Sequence, residues 1–168
     1  MGLAWTVSGC LNPFSPPQES GEYPLPLTDS VVLDNLQKAY LSKDIQAYRD
    51  CLDPDSFKFF FDPADTGIQE ILRNNWGIDS MVWGLTEEIQ SAQNMFSMTD
   101  YLDLNLYEKV QIRSDDSVSE WRCRYYLTVE PPPEGASATA QGRAYFVLKR
   151  HQDNGFWYIL RWEDYGGM

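Results

Sequence analysis

Glu108 is the acidic side chain whose neighbours would change its chemistry most. In the stretch from Tyr101 it shares an alternating phase with Leu102, Leu104, Leu106, Val110 and Ile112. A carboxyl group among aliphatic side chains is hard to ionise and could serve as a general base. A β-bulge between Leu106 and Val110 would instead turn Glu108 toward solvent, and that is the expected arrangement. Tyr125 stands on the apolar phase of the next alternating stretch, with Trp121, Cys123, Leu127 and Val129. Its hydroxyl could donate into a pocket, although an inward tyrosine more often packs with a satisfied hydroxyl. His151 lies beside the turn Asp153-Asn154-Gly155 and is expected to be an exposed loop residue. Asp62 and Asp65 read as turn residues, and Glu163 and Asp164 as the solvated end of a strand. Glu108 and Tyr125 are therefore the weak catalytic candidates. The chain has no Gly-rich phosphate loop, no Gly-x-Ser-x-Gly and no His-Glu pair with metal spacing.

Composition narrows the partners. The 168 residues suit one domain with a real core. Aromatic residues make up 14%, enough to build a core, a pocket lining or an interface. A formal net charge of −12 argues against nucleic acid or a bare anionic membrane surface, which need clustered Lys and Arg. No run approaches the length of a transmembrane helix. Cys10, Cys51 and Cys123 have no metal-ligand spacing, and one histidine cannot complete a metal site. Neither metal nor cofactor is expected. Cys51 and Cys123 read as small buried hydrophobes, with no structural disulfide.

Residues 1–27 differ from the rest. A short apolar piece leads into Val7-Ser8-Gly9-Cys10, and Pro13, Pro16, Pro17, Pro24 and Pro26 follow without apolar period. Prolines remove backbone donors and favour extended chain, so this part reads as a tether. The run Val7-Ser8-Gly9-Cys10 resembles the lipobox of bacterial lipoproteins, which implies lipidation at Cys10. The membrane would then be reached only through that anchor. No Lys or Arg precedes Cys10, where a secretory signal carries basic residues, and a start upstream of Met1 would supply them.

Residues 28–168 read as one folded domain. Thr28, Asp29 or Ser30 can cap a helix carrying Val32, Leu36, Ala39 and Tyr40 at helical spacing. Ser42-Lys43-Asp44 interrupts it and offers a second cap, before Ile45, Tyr48 and Leu52. Phe57 to Phe61 reads as a buried strand. Ile68, Ile71, Leu72 and Trp76 suggest a short helix, and an irregular stretch follows through Gly77 and Gly84. Thr86 is the expected cap of a further helix, with Glu87 and Glu88 in its first turn, where the macrodipole favours negative charge. From Tyr101 the period falls to two and stays there through three successive antiparallel strands. Asn154-Gly155 is the hairpin signal before the last strand, Phe156 to Tyr165.

Helices first and antiparallel strands after give an α+β domain, with the helices on one face of a single curved sheet. The element order, the run Ala47 to Phe57 (AYRDCLDPDSF) and the closing run Phe156 to Asp164 (FWYILRWED) resemble the nuclear transport factor 2-like superfamily, which includes the SnoaL-like domains. The resemblance implies a cystatin-like cone with a central pocket, catalytic in some members and a binding or packing space in others.

The expected function is an extracytoplasmic domain, lipid-anchored in a bacterial envelope. It would bind a small apolar ligand or a protein partner without catalysis. A pocket isomerase, dehydratase or hydrolase is the rival, and a structural dimerisation module the third reading. An open cone holding an acid within reach of a tyrosine would favour the enzyme. On the last two strands Tyr145, Val147, Trp157 and Ile159 occupy a phase expected to be polar, so they are the expected interface of a homodimer. The alternative is that the N-terminal segment folds back over them through Leu11 and Phe14 or Tyr23 and Leu25.

Overall fold

In the computed structural model, residues 23–131 and 136–166 are described. Helix α1 (Asp29–Ser42) buries Val32, Leu33, Leu36, Ala39 and Tyr40, the stripe expected from three-and-four spacing. The Asp44 carboxylate caps α2 (Ile45–Asp50) by accepting from the amides of Gln46 and Ala47. Asp53 then turns the chain, its Oδ1 accepting from the amides of Asp55 and Ser56. Strand β1 is Lys58–Phe60. Asp65 caps α3 (Thr66–Ile71), which widens into a π-helical turn, Leu72–Trp76, and stops at Gly77 with φ 66°.

The stretch after Gly77 holds an element the sequence did not signal, strand β2 (Val82–Gly84), antiparallel to β1. Helix α4 (Leu85–Met98) starts at Gly84, not Thr86: the Glu87 carboxylate reaches back 3.0 Å to the Gly84 amide. Four long strands follow: β3 (Tyr101–Ser114), β4 (Val118–Glu130), β5 (Ala138–Arg150) and β6 (Trp157–Gly166). They complete a curved six-stranded sheet in the order β2-β1-β6-β5-β4-β3. Every pairing is antiparallel except β1 with β6, which is parallel.

The helices cover one face of this sheet. The core there joins Leu102, Leu104 and Leu106 of β3, Cys123 of β4, Phe146 and Leu148 of β5, and Trp162 of β6 to the buried stripe of α1. Cys51 and Cys123 are buried free thiols, and burial pushes them up to about 12 and about 11. They are core residues, as expected.

Register shifts on β3 and β6 reset the phases read from the sequence. The β3–β4 register shifts between Tyr107 and Val110, and Glu108 takes φ 49°. A second shift follows between Gln111 and Arg113. Val110 and Ile112 therefore leave the buried phase of Leu102, Leu104 and Leu106 and stand exposed. In β6 the register against β5 shifts at Leu160, because Val147 pairs with Arg161 and Leu148 with Ile159. The extra residue puts Trp157 and Ile159 on the core face, 7% and 0% exposed. The single outer patch read from Tyr145, Val147, Trp157 and Ile159 is thus corrected. Only Tyr145 and Val147 lie on the outer face.

Residues 23–27 are docked rather than free. The Pro24 carbonyl accepts from Asn35 Nδ2, the Pro26 carbonyl from the Trp157 amide, and Tyr23 packs on the core. This part runs past α1, α2 and Tyr158, so Tyr23 and Leu25 do not cover Tyr145 and Val147. Leu11, Phe14 and Cys10 lie outside the described residues.

Candidate functional site

A cavity of about 350 Å³ opens between the inner face of the sheet and the helices, within the size range of small-molecule sites. Its wall is apolar and aromatic. Phe59 of β1 and Trp162 of β6 are neighbours in the parallel pair, their rings 5.3 Å apart. Trp83 of β2 meets Phe61 at 4.6 Å and Trp76 of the π-turn at 5.5 Å. Ile68, Leu72 and the exposed Ile71 close one side from α3 and the π-turn. The cone is open rather than filled by its aromatic side chains.

Two carboxyl groups interrupt this lining. Glu88 of α4 is 5% exposed and accepts from the Tyr48 hydroxyl and, at 2.7 Å, from Trp83 Nε1. Burial raises its pKa, and the two hydrogen bonds oppose that rise. Burial also holds the Tyr48 and Tyr40 hydroxyls well above the ordinary tyrosine range, with the Glu88 charge adding to it. Tyr40, Tyr48 and Phe96 lock these groups edge to face, with centroids 5.4–5.8 Å apart.

Asp164 of β6 is the second carboxyl group. The Tyr125 hydroxyl lies near enough to lower its pKa, while its Oδ1 is buried without a hydrogen-bond partner. Burial raises its pKa first, and the nearby charges of Asp62 and Asp65 raise it further. Gly142 makes the Tyr125 position possible. A Cβ there would sit 2.5 Å from the Tyr165 carbonyl oxygen and 2.8 Å from the Tyr125 ring. The site therefore offers two carboxyl groups whose pKa burial raises, one of them with an unpartnered oxygen and a tyrosine hydroxyl nearby. Such groups can donate, accept or exchange a proton with a bound molecule. The cavity lining holds no Lys, Arg or His. Among the described residues no three His, Cys, Asp or Glu side chains are placed to hold a metal ion.

Of the residues singled out in the sequence, Tyr125 lines the cavity and Glu108 does not. The expected bulge turns Glu108 outward, where it pairs with Arg124 at 3.3 Å and is 64% exposed. His151 is not a free loop residue. Its Nε2 lies 2.6 Å from Oδ2 of the buried Asp53, tying the β5–β6 turn to the turn before β1. Neither His151 nor Asp53 lines the cavity.

Glu88 and Asp164 were legible only indirectly. Glu88, Ala92 and Phe96 recur every four residues on one helix stripe, and all three are buried. Asp164 stands two residues after Trp162, on the same strand phase.

No protein-family model and no curated protein matches the chain. Solved structures do match in shape. A nuclear transport factor 2-like superfamily protein from Salmonella enterica superimposes with a TM-score of 0.60 at 12% identity, over 82% of this chain and 87% of that one. A nuclear transport factor 2-like protein of unknown function in nutrient uptake from Rhodospirillum rubrum gives 0.62 at 14% identity, over 83% and 98%. A candidate dehydratase of the same family from Streptomyces avermitilis gives 0.60 at 13% identity, over 83% and 93%. At these identities the likeness is one of shape, and the shape agrees with the sheet, helices and cavity described above. The chain has the nuclear transport factor 2-like fold.

Proposed function

We propose that this domain binds a small, mostly apolar molecule in the cavity between sheet and helices. The observation that carries this reading is the open cavity of about 350 Å³, walled by Phe59, Phe61, Trp83 and Trp162 and holding few polar groups. Burial of apolar surface supplies the affinity, at roughly 25 cal/mol per Å² before the costs of association. Tyr125 and Asp164 fix the orientation. The test is a titration with phenylnaphthylamine, an uncharged probe whose fluorescence rises on leaving water. Saturable binding is expected, weakened by Trp83→Ala and untouched by Glu108→Gln, which alters only the outer face. Absence of saturable binding, or loss of it in Glu108→Gln, would refute the reading.

One observation favours a second reading, a pocket enzyme of the isomerase, dehydratase or hydrolase kind. Asp164 is an acid within reach of a tyrosine in an open cone, and Asp164, not Glu108, is the acid placed for it. Mass spectrometry of a ligand extracted after incubation separates the two. An unchanged ligand supports binding alone, and a changed one supports catalysis.

Two further parts of the proposal concern location and assembly. Val7-Ser8-Gly9-Cys10 and the prolines after it support a lipid anchor that holds the domain in a bacterial envelope. Expressed with an upstream signal, the protein is expected in the membrane fraction, and Cys10→Ala is expected to release it. On the outer face, Tyr145 and Val147 are half-buried amid Glu120, Arg122, Arg143 and Arg161. A patch with both charge signs and central aromatics is self-complementary across a two-fold axis. Light scattering at micromolar concentration is expected to give the mass of a dimer, and a monomer mass would defeat this part.

A further inference from the structure

We propose that the ligand of this cavity is an organic cation, an ammonium group carried on an apolar body. Its charged nitrogen would sit at Asp164 and its body against Phe59, Phe61, Trp83 and Trp162. This rests on the reading of the cavity as a small-molecule site and goes beyond it by naming the charge.

Four observations converge. The titratable groups in the lining are Glu88, Asp164, Tyr40 and Tyr125, with no Lys, Arg or His to balance the acids. Asp164 stands in the cavity lining, and its buried Oδ1 receives no hydrogen bond, so the carboxyl group has an unmet acceptor. The same lining holds two phenylalanines and two tryptophans, linked ring to ring at 4.6–6.0 Å. Aromatic faces attract a desolvated cation, tryptophan most strongly, and they give an anion nothing. Beyond the lining, Asp62 and Asp65 lie near enough to act on Asp164, and the chain as a whole carries −12. A field of one sign draws cations toward the mouth and turns carboxylates and phosphates away.

The two carboxyl groups play different parts. Glu88 is already bonded at both oxygens, by Tyr48 and Trp83. Asp164 keeps one oxygen for the ligand. An ammonium donor there supplies the missing hydrogen bond and the missing counter-charge together, and a neutral alcohol supplies only the first. Asp164 is faced by Tyr125 from β4, Tyr40 from α1 and Asp62 and Asp65 from the turn before α3, none of them cationic. Its ionisation is therefore disfavoured in the empty cavity and restored by the cation. Binding of the cation should expel a proton, and affinity should climb as pH rises through the raised pKa of Asp164.

Calorimetric titration of the full chain with phenylbutylamine, phenylbutanol and phenylbutanoate tests this, because the three share one body and differ in charge. The amine is expected to bind about tenfold more tightly than the alcohol, and the carboxylate to give no saturable heat. Asp164→Asn is expected to abolish the amine's advantage over the alcohol, whatever it does to the affinity of the alcohol itself. If that variant melts below the working temperature, the wild-type pH profile decides. An affinity that rises with pH for the amine and stays flat for the alcohol supports the cation. Equal affinities, or equal pH profiles, overturn the cation inference while leaving an apolar site in place. Failure of the amine and the alcohol, together with phenylnaphthylamine, overturns both.

Discussion

Phe146→Ala is expected to lower the free energy of unfolding by about 3–5 kcal/mol. Phe146 is 0% exposed and stands mid-sheet, in register with Trp121 on β4 and Trp162 on β6. Its ring lies 5.0 Å from that of Trp162. Truncation removes the transfer energy of a phenyl group and leaves a void between rigid neighbours that cannot collapse into it. Val110→Ala, also on a long strand, should change stability by no more than about 0.5 kcal/mol, because Val110 is 56% exposed. Urea unfolding with a constant m-value reads both. Comparable losses at the two positions would mean that the bulge at Glu108 does not reset the phase of β3.

Glu88→Ala is the second large effect, and its pH dependence is as informative as its size. The substitution strands two donors, the Tyr48 hydroxyl and Trp83 Nε1. An orphaned buried donor costs about 1–3 kcal/mol. Glu88 has a raised folded-state pKa, chiefly from burial. Its contribution is fully present below the ordinary glutamate pKa and is lost as pH rises through the raised one, because the folded state holds the proton longer. Wild-type stability relative to Glu88→Gln should therefore fall with increasing pH over that window. Asp164 carries the same sign, so Asp164→Asn should flatten part of the remaining slope. Melting temperatures across a pH series check this. A wild-type advantage that grows with pH would mean that Glu88 is ionised in the folded state.

Much of the fold was legible because its strongest signals are local. Val32, Leu36, Ala39 and Tyr40 could form little but an amphipathic helix, and Asp153-Asn154-Gly155 could do little but turn a hairpin. Strand β2 gave no such signal. Val82–Gly84 is three residues long and exists through its pairing with Phe60, Phe59 and Lys58, a tertiary choice that no period announces. The faces of β3 beyond Glu108 and of β6 before Leu160 were misread for one reason. A strand phase extrapolates only until an extra residue enters, and one residue reverses every side chain after it. The bulge at Glu108 could be inferred because a charged residue broke an aliphatic set. The one at Leu160 could not, since apolar residues lie on both sides of it.

The site was less legible than the fold. Tyr125 was placed correctly by its strand phase. Asp164 looked like the solvated end of a strand because the groups that act on it, Tyr125, Tyr40 and Asp62, are all distant in sequence. Glu88 looked like a first-turn acid in a favourable dipole. It is also a buried acceptor, because Tyr48 and Trp83 converge on it from other elements.

The parallel pairing of β1 with β6 has a consequence for how the chain is made. Residues 58–60 wait for residues 161–163, so the sheet stays in two pieces until β6 has been made. When β3, β4 and β5 have left the ribosome, β5 still has a bare edge, and β1 and β2 form only a short ribbon. Closing a loop this long is slow compared with forming hairpins. An unpaired edge is also an invitation to other chains. Assembly of the domain is therefore committed at β6, in one late step that joins the two pieces and encloses the cavity together. A nascent chain arrested before Trp157 should be open to proteases and should engage holding chaperones. Release of the 10 residues of β6 should end both.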